Sequence, residues 1–288
     1  WLKENFMANT DSSGISFTAY YTGEVWRQHG LSLDAFKTPQ GKTLYYLGQP
    51  FEKMARAVAG FSTQTTLLQR HHIIDYVVKK AIKEQGVTQI VEIACGLSPR
   101  GVRFCQEFPD LHYIEADLPD MLAHKQRLLA EHGLLSKRHR VVGINILEEN
   151  TPDALAVVFK RELDPTRKTL VITEGLINYF DYATISGFWK KLAQVLKQFP
   201  AGAYVSDLYP NFTWHPVTKL INTFVFGLAF ATKSRVTLHF NNQQEIITSF
   251  KQLGFAHTQV HIPEAYYGSL AIPTQRGASL VRVIESWV

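Results

Sequence analysis

The stretch QIVEIACGLSPRGVRFCQEFPDLHYIEAD, residues 89–117, decides the fold. Gln89 to Cys95 is a short apolar run rich in branched residues, the mark of a strand buried on both faces. A helix is expected from Pro99 to Phe108, with proline near its start, where a missing N–H costs least. His112 to Asp117 reads as a second strand. Strand, helix and strand in about thirty residues make one parallel unit.

The alternation continues downstream. The pattern predicts a helix over Pro119–His132, a strand over Arg140–Ile146 and a helix over Pro152–Glu162. It then predicts a strand over Thr169–Glu174, a helix over Asp181–Gln198 with Asp181 as N-cap, and a strand over Ala203–Leu208. A last helix is expected at Asn242–Leu253, stopped by Gly254. Two strands follow without a helix between them, Thr258–Ile262 and Ser279–Ser286. Upstream, Thr63–Glu84 has helical periodicity through Leu67, Leu68, Ile73, Ile74, Val77, Val78 and Ile82, with Gly86 as its stop.

Five strand–helix units in series predict an α/β fold, a mostly parallel sheet covered on both faces. The last strand is expected to enter that sheet antiparallel as the seventh. The interval 210–241 breaks the rhythm and reads as an inserted helical lid, holding Phe212, Trp214, Phe224, Phe226 and Phe230. Residues 1–62, with Phe17, Tyr20, Tyr21, Trp26, Tyr45 and Tyr46, read as an N-terminal helical cap on a main domain of 63–288.

The bulk numbers exclude several classes. Hydrophobic content of 45% and charged content of 19% are ordinary for a globular chain of 288 residues. The net charge of +5 is mild and spread out, apart from Ser136-Lys137-Arg138-His139-Arg140. That cluster reads as a solvated loop, so no nucleic-acid partner is expected. Two cysteines, Cys95 and Cys105, fit a reducing, cytoplasmic setting. Neither they nor the histidines show metal-ligand spacing, so no metal is expected. The longest apolar run, Leu220 to Ala231, is shorter than the roughly 20 residues a membrane span needs. The chain begins at Trp1 rather than Met, so a trimmed or processed start is expected.

In an open α/β sheet a ligand lies at the carboxyl ends of the strands. Here those ends carry Ala94-Cys95-Gly96, Glu115-Ala116-Asp117, Asn145-Ile146 and Glu174. Each has a use for an adenosyl cofactor. Gly96 admits close approach to the backbone. Asp117 can accept bonds from a ribose diol. Asn145 can meet the adenine edge, Ile146 can pack on the ring, and Glu174 can face a methionine ammonium. Bland readings stand beside these: a turn glycine, a helix-capping Asp117, a structural Glu174. A pyrophosphate cofactor would need G-x-G-x-x-G, but Ala94-Cys95-Gly96-Leu97-Ser98-Pro99 has one glycine of the three. S-adenosylmethionine has no phosphate and needs no such cradle.

Several of these stretches together resemble the leucine carboxyl methyltransferase family, in its bacterial polyketide-type O-methyltransferase branch. They are VEIACGLSPRGVRF (91–104), YIEADLPDMLAHKQRLL (113–129), GINILEEN (143–150), TLVITEGLINYF (169–180) and LLQRHHIID (67–75). Ser98 and Asn145 stand where that family has aspartate. The resemblance covers about residues 60–208 well and implies a class I, Rossmann-like methyltransferase fold. It also implies S-adenosylmethionine as cofactor and methyl transfer to an oxygen, most simply a carboxylate of a small-molecule acid. By the same resemblance Arg70 meets the cofactor carboxylate. Arg100 or Arg103 would hold the acid by a bidentate contact, and Tyr179 would orient the acceptor. Two alternatives stay open: a cofactor-binding protein with little transferase activity, and a protein C-terminal carboxyl methyltransferase.

Overall fold

Capping residues set the element boundaries. The computed structural model describes residues 12–211 and 236–288, and the side chains of 18–58, 60–211 and 236–288. Helix α1 spans Ser12–Gln28. Helix α2, Pro39–Ala59, starts on Thr38, whose side chain accepts from Gly41 N, and stops at the left-handed Gly60. Helix α3, Thr63–Gln85, starts on Ser62 and stops at Gly86 in the same way.

The remaining elements alternate. They are β1 (Gln89–Ile93), α4 (Arg100–Glu107), β2 (His112–Asp117), α5 (Pro119–Glu131), β3 (His139–Gly143), α6 (Leu155–Glu162) and β4 (Thr169–Thr173). Then come α7 (Tyr182–Leu196), β5 (Gly202–Leu208), α8 (Gln243–Gln252), β6 (His257–His261) and β7 (Arg282–Trp287). The sheet order is β3-β2-β1-β4-β5-β7-β6. Strands β1 to β5 pair in parallel, while β7 runs antiparallel to both β5 and β6. So six strands point one way and β7 alone opposes them, as the two final strands without a helix between them predict.

Strand alternation divides the core. Val91 and Ile93 of β1 pack with Leu155, Phe159, Phe188, Trp189 and Phe250 on one face. Ile90 packs with Ile73, Ile74, Val77, Val78 and Phe104 on the other. Trp189 is fully buried, and its indole N–H donates to Tyr204 Oη at 3.2 Å. Burying that ring contributes about 3–5 kcal/mol by the usual cost of a tryptophan truncation.

The differences from expectation are local but matter for the site. Strand β3 ends at Gly143, not Ile146. Past it, Asn145 bridges Ala154 instead of extending the sheet. The basic run 136–140 is not simply solvated: the Arg138 guanidinium donates to the carbonyls of Cys105, Phe108 and Leu111, and His139 is buried. Those carbonyls lie at and beyond the end of α4, where a cation is favoured. Of the expected lid, 212–235 lies outside the described residues. Its described ends, 210–211 and 236–241, come together: Asn211 N donates to Phe240 O at 2.6 Å.

Candidate active site

The carboxyl ends of β1, β2, β4 and β5 open into one cavity of about 440 Å³, roofed by α1 and α3. At its floor the chain leaves β1 through a strained turn. Ala94 has φ of 55° and Gly96 φ of 48°. A left-handed alanine costs about 1–2 kcal/mol and persists only where the surroundings impose it. A Cβ on Gly96 would stand 3.2 Å from Ala19 Cβ, so α1 also presses on this turn. Glycine at 96 is thus required twice, by φ and by close approach.

Asp117, the last residue of β2, holds that turn. Gly96 N donates to its Oδ2 and Leu118 N to its Oδ1, each at 2.8 Å. Burial pushes its carboxyl above the usual aspartate range, against the pull of the two N–H groups. The Cys95 thiol adds a further contact, and a carboxylate with about four acceptor positions still has capacity beyond these three donors. A diol in the cavity would meet that remaining acceptor capacity, with Leu118 and Met121 offering an apolar wall beside it.

The other end of the cavity is charged. Arg70, from α3, donates Nε to Glu174 Oε1 at 3.1 Å and Nη1 to Asp207 Oδ2 at 3.2 Å. Asp207 also accepts from Gly175 N at 2.6 Å. Burial pushes the Asp207 carboxyl up, with Arg70 pulling the other way. Burial would raise Glu174 too, but His71, Arg100 and Arg70 outweigh it and hold that carboxyl well below its ordinary value. Gly175 has φ of 71°, and a Cβ there would lie 2.9 Å from Arg70 Nη2. One cation between two acids suits a zwitterionic amino-acid moiety, with Arg70 toward its carboxylate and an acid toward its ammonium.

Beneath the cavity floor lies a second layer of charge. Arg100 is fully buried; it donates Nε to Asp75 at 2.6 Å, Nη2 to Glu174 at 2.6 Å and Nη1 to Glu92. Tyr113 donates to the same Glu92 at 2.6 Å. Arg103 pairs with Asp75 at 2.9 Å. His71 Nδ1 stands 3.0 Å from Glu174 Oε2, and the ring of Trp26 from α1 lies on His71, 4.4 Å between centroids. Lys125, also fully buried, pairs with Glu115 at 2.9 Å and donates to Ser98 O at 2.8 Å. It thereby braces the turn after β1. Ser98 Oγ accepts from Arg100 N at 3.3 Å, which ties it to the start of α4.

Of the residues expected from sequence, the fold brings Arg70, Ala94, Gly96, Asp117, Glu174 and Tyr179 to this one cavity. It does not bring Arg100 or Arg103 there, because α4 turns both toward Asp75 on α3. Nor does it bring Asn145 or Ile146. Asn145 Oδ1 accepts from Leu147 N at 3.1 Å in its own loop, and Ile146 packs against the core. Sequence reading missed Asp207, Tyr209, Asn178, Tyr21 and Trp26, which all line the cavity. Asp207 was within reach, since it stands at the end of β5, where the strand-end rule applies. Tyr21 and Trp26 were not, because which face of α1 looks inward depends on its docking.

The comparisons agree with this architecture. The family model described as leucine carboxyl methyltransferase matches residues 34–193, more than half of the chain. A relative in Mycobacterium tuberculosis strain H37Rv, provisionally named an S-adenosyl-L-methionine-dependent methyltransferase, is 34% identical over 96 residues. That match covers 33% of this chain and only 30% of the relative's length. Among solved structures, a DUF574 family protein from Streptomyces avermitilis superposes with a TM-score of 0.59 at 12% identity, covering 93% of this chain and 96% of its own. A protein from Thermobifida fusca, provisionally named a methyltransferase, gives 0.57 at 13%, covering 92% and 93%. A third, PigF with SAH, gives 0.50 at 12%, covering 84% and 68%. At such identities the structures establish a shared fold. By the extent of the family match, the chain belongs to the leucine carboxyl methyltransferase family.

Proposed function

We propose that the cavity binds S-adenosylmethionine and that the chain transfers its methyl group to an oxygen of a small-molecule acceptor. The observation that carries this reading is the pairing of two features in one space: the Gly96–Asp117 turn at one end and the Arg70–Glu174–Asp207 cluster at the other. The first suits a ribose diol and the second an amino-acid zwitterion. The family match and the structural likeness to PigF with SAH support the same reading.

The bound cofactor would supply an activated methyl group. The chain's own residues position and dry the site. Asp117 fixes the adenosine end, and Arg70 orients the amino-acid end. Tyr21, Trp26, Leu67 and Leu280 wall the remaining space and exclude water. A carboxylate acceptor is ionised at neutral pH and needs no general base. Alignment of acceptor oxygen, methyl and sulfur then provides the rate. To Tyr179, which lines the cavity and whose hydroxyl donates to Thr18 Oγ1 at 3.5 Å, we assign the steering of the acceptor. A hydroxyl acceptor is the second reading. One observation favours it: Arg70 is already shared between two acids, while Arg100 and Arg103 lie away from the cavity.

Calorimetry with S-adenosylhomocysteine tests the first step. Binding is expected, and Asp117→Ala is expected to weaken it about 10- to 100-fold, the loss of bonds to a charged acceptor. Absence of binding at millimolar ligand sinks the reading. Labelled methyl transfer to a panel of acids and phenols tests the second step. Turnover of acids alone or of phenols alone separates the two acceptors. Binding without turnover of either supports a cofactor-binding protein instead.

A further inference from the structure

Helix α2 carries an apolar face that nothing among the described residues covers. Leu47, Phe51, Met54 and Val58 are 68%, 70%, 59% and 75% exposed. Their spacing of four, three and four residues puts them in one stripe along the helix. Tyr46, 55% exposed, widens the face, and the exposed Pro50 and Ala57 lie between it and the stripe. Lone exposed apolar residues need no explanation, but a contiguous stripe of large ones marks an interaction surface.

The charges around the stripe identify its partner. Every exposed charged residue of α2 is basic: Lys42, Lys53 and Arg56. Its one acid, Glu52, is turned inward, where it accepts from Tyr21 Oη at 2.9 Å and from Gln64 N at 3.1 Å. Lys42 and Lys53 border the apolar face at helical spacing. Exposed Arg276, whose N–H bonds the Gly60 carbonyl, adds a cation where the helix ends. A second copy docked through this same face would set these cations against each other, since α2 exposes no acid. An apolar face with aromatic side chains and a purely basic border fits a surface of acyl chains under anionic headgroups.

We propose that α2 docks this protein on an anionic lipid surface, with Leu47, Phe51, Met54 and Val58 inserted and Lys42, Lys53 and Arg56 among the headgroups. No helix of the described residues is long and apolar enough to cross a membrane, so the contact is peripheral. Helix α2 packs on α1, which lines the cavity, so docking sets the cap rather than the sheet against the lipid. The proposal does not depend on the cofactor assignment.

Vesicle co-sedimentation of the full chain tests it. The probes are phosphatidylcholine vesicles with and without about one third phosphatidylglycerol. Binding is expected to be at least about tenfold stronger to the anionic vesicles, and to be released by about 0.5 M salt. Lys42→Glu and Lys53→Glu are each expected to lower partitioning about fivefold or more. The double variant Leu47→Ser/Phe51→Ser is expected to abolish it. Since these side chains are exposed, thermal melting of the variants should match the parent, which separates lost docking from lost folding. No partitioning, or equal partitioning into both vesicles, overturns the proposal. So does a dimer of the parent chain in sedimentation equilibrium that Leu47→Ser/Phe51→Ser disperses, because a second copy would then be the partner.

Discussion

At the scale of single residues, Arg100 shows how position overrides spacing. Its place after a glycine-bearing turn suggests an anion clamp, yet it neutralises Asp75, Glu92 and Glu174 below the cavity. Arg100→Met should therefore destabilise the fold by about 3–5 kcal/mol, the cost of leaving buried charges unpaired. Arg103→Ala, removing a side chain 26% exposed, should cost less than about 1 kcal/mol. Urea unfolding checks both, and equal effects would contradict the assignment. The same network predicts an acid response. Glu174 and Asp75 titrate below their ordinary values in the folded chain. Their stabilisation is thus full above about pH 4.3, the unfolded glutamate value, and is lost as pH falls from there through their depressed values. Asp207 and Asp117 have raised values and work in the opposite direction. Acid titration of unfolding free energy, repeated on Glu174→Gln, should show a shallower loss below about pH 4.3 in the variant. These partnerships were illegible in the sequence, because Asp75, Glu92 and Arg100 lie on three different elements and Glu174 in the loop after β4.

At the scale of elements, the strand–helix rhythm was legible almost throughout. Branched runs at 89–93 and 169–173 and the cap at Asp181 act locally, and the sequence displays them; the caps at Ser62 and Asn242 came from the structure. Strand β3 shows the limit. Its apolar run continues through Ile144, but pairing with β2 stops at Gly143, and Asn145 leaves the crevice with it. Loops at strand ends are the more informative places. Gly175→Ala would put a Cβ within 2.9 Å of Arg70 Nη2 in a left-handed backbone. Homocysteine-end binding should suffer more than folding, with S-adenosylhomocysteine affinity falling about tenfold for roughly 1.4 kcal/mol of misplaced guanidinium. Calorimetry on the variant decides, with adenosine alone as the control that should be unaffected.

At the scale of the whole molecule, the cavity exists because α1 and α3 close over the sheet edge. Trp26 lies on His71, whose ring meets Glu174 at the end of β4, so α1 is tied through α3 to the sheet edge. A ligand that binds in that space stabilises the folded chain. At about 100 times its dissociation constant it adds about 2.7 kcal/mol. For a chain of this size that should raise the melting temperature by about 4–5 °C. Scanning calorimetry with S-adenosylhomocysteine measures it, and adenine alone should give a smaller shift. A flat response to ligand at that concentration would mean that the folded chain does not bind it, and would count against the cofactor assignment.

The sequence alone determined the layer architecture, the antiparallel last strand and the glycine turn beside Asp117. Those depend on periodicity, caps and strand ends, which are properties of neighbouring residues. Only the tertiary structure decided which charges face the ligand. It drew Arg100 and Arg103 to Asp75, left Asn145 in a loop, and added Asp207, Tyr21 and Trp26 to the wall. The reason is physical. A buried cation must meet acids wherever the fold places them, and the direction of a side chain across distant elements is set by packing, not by spacing along the chain.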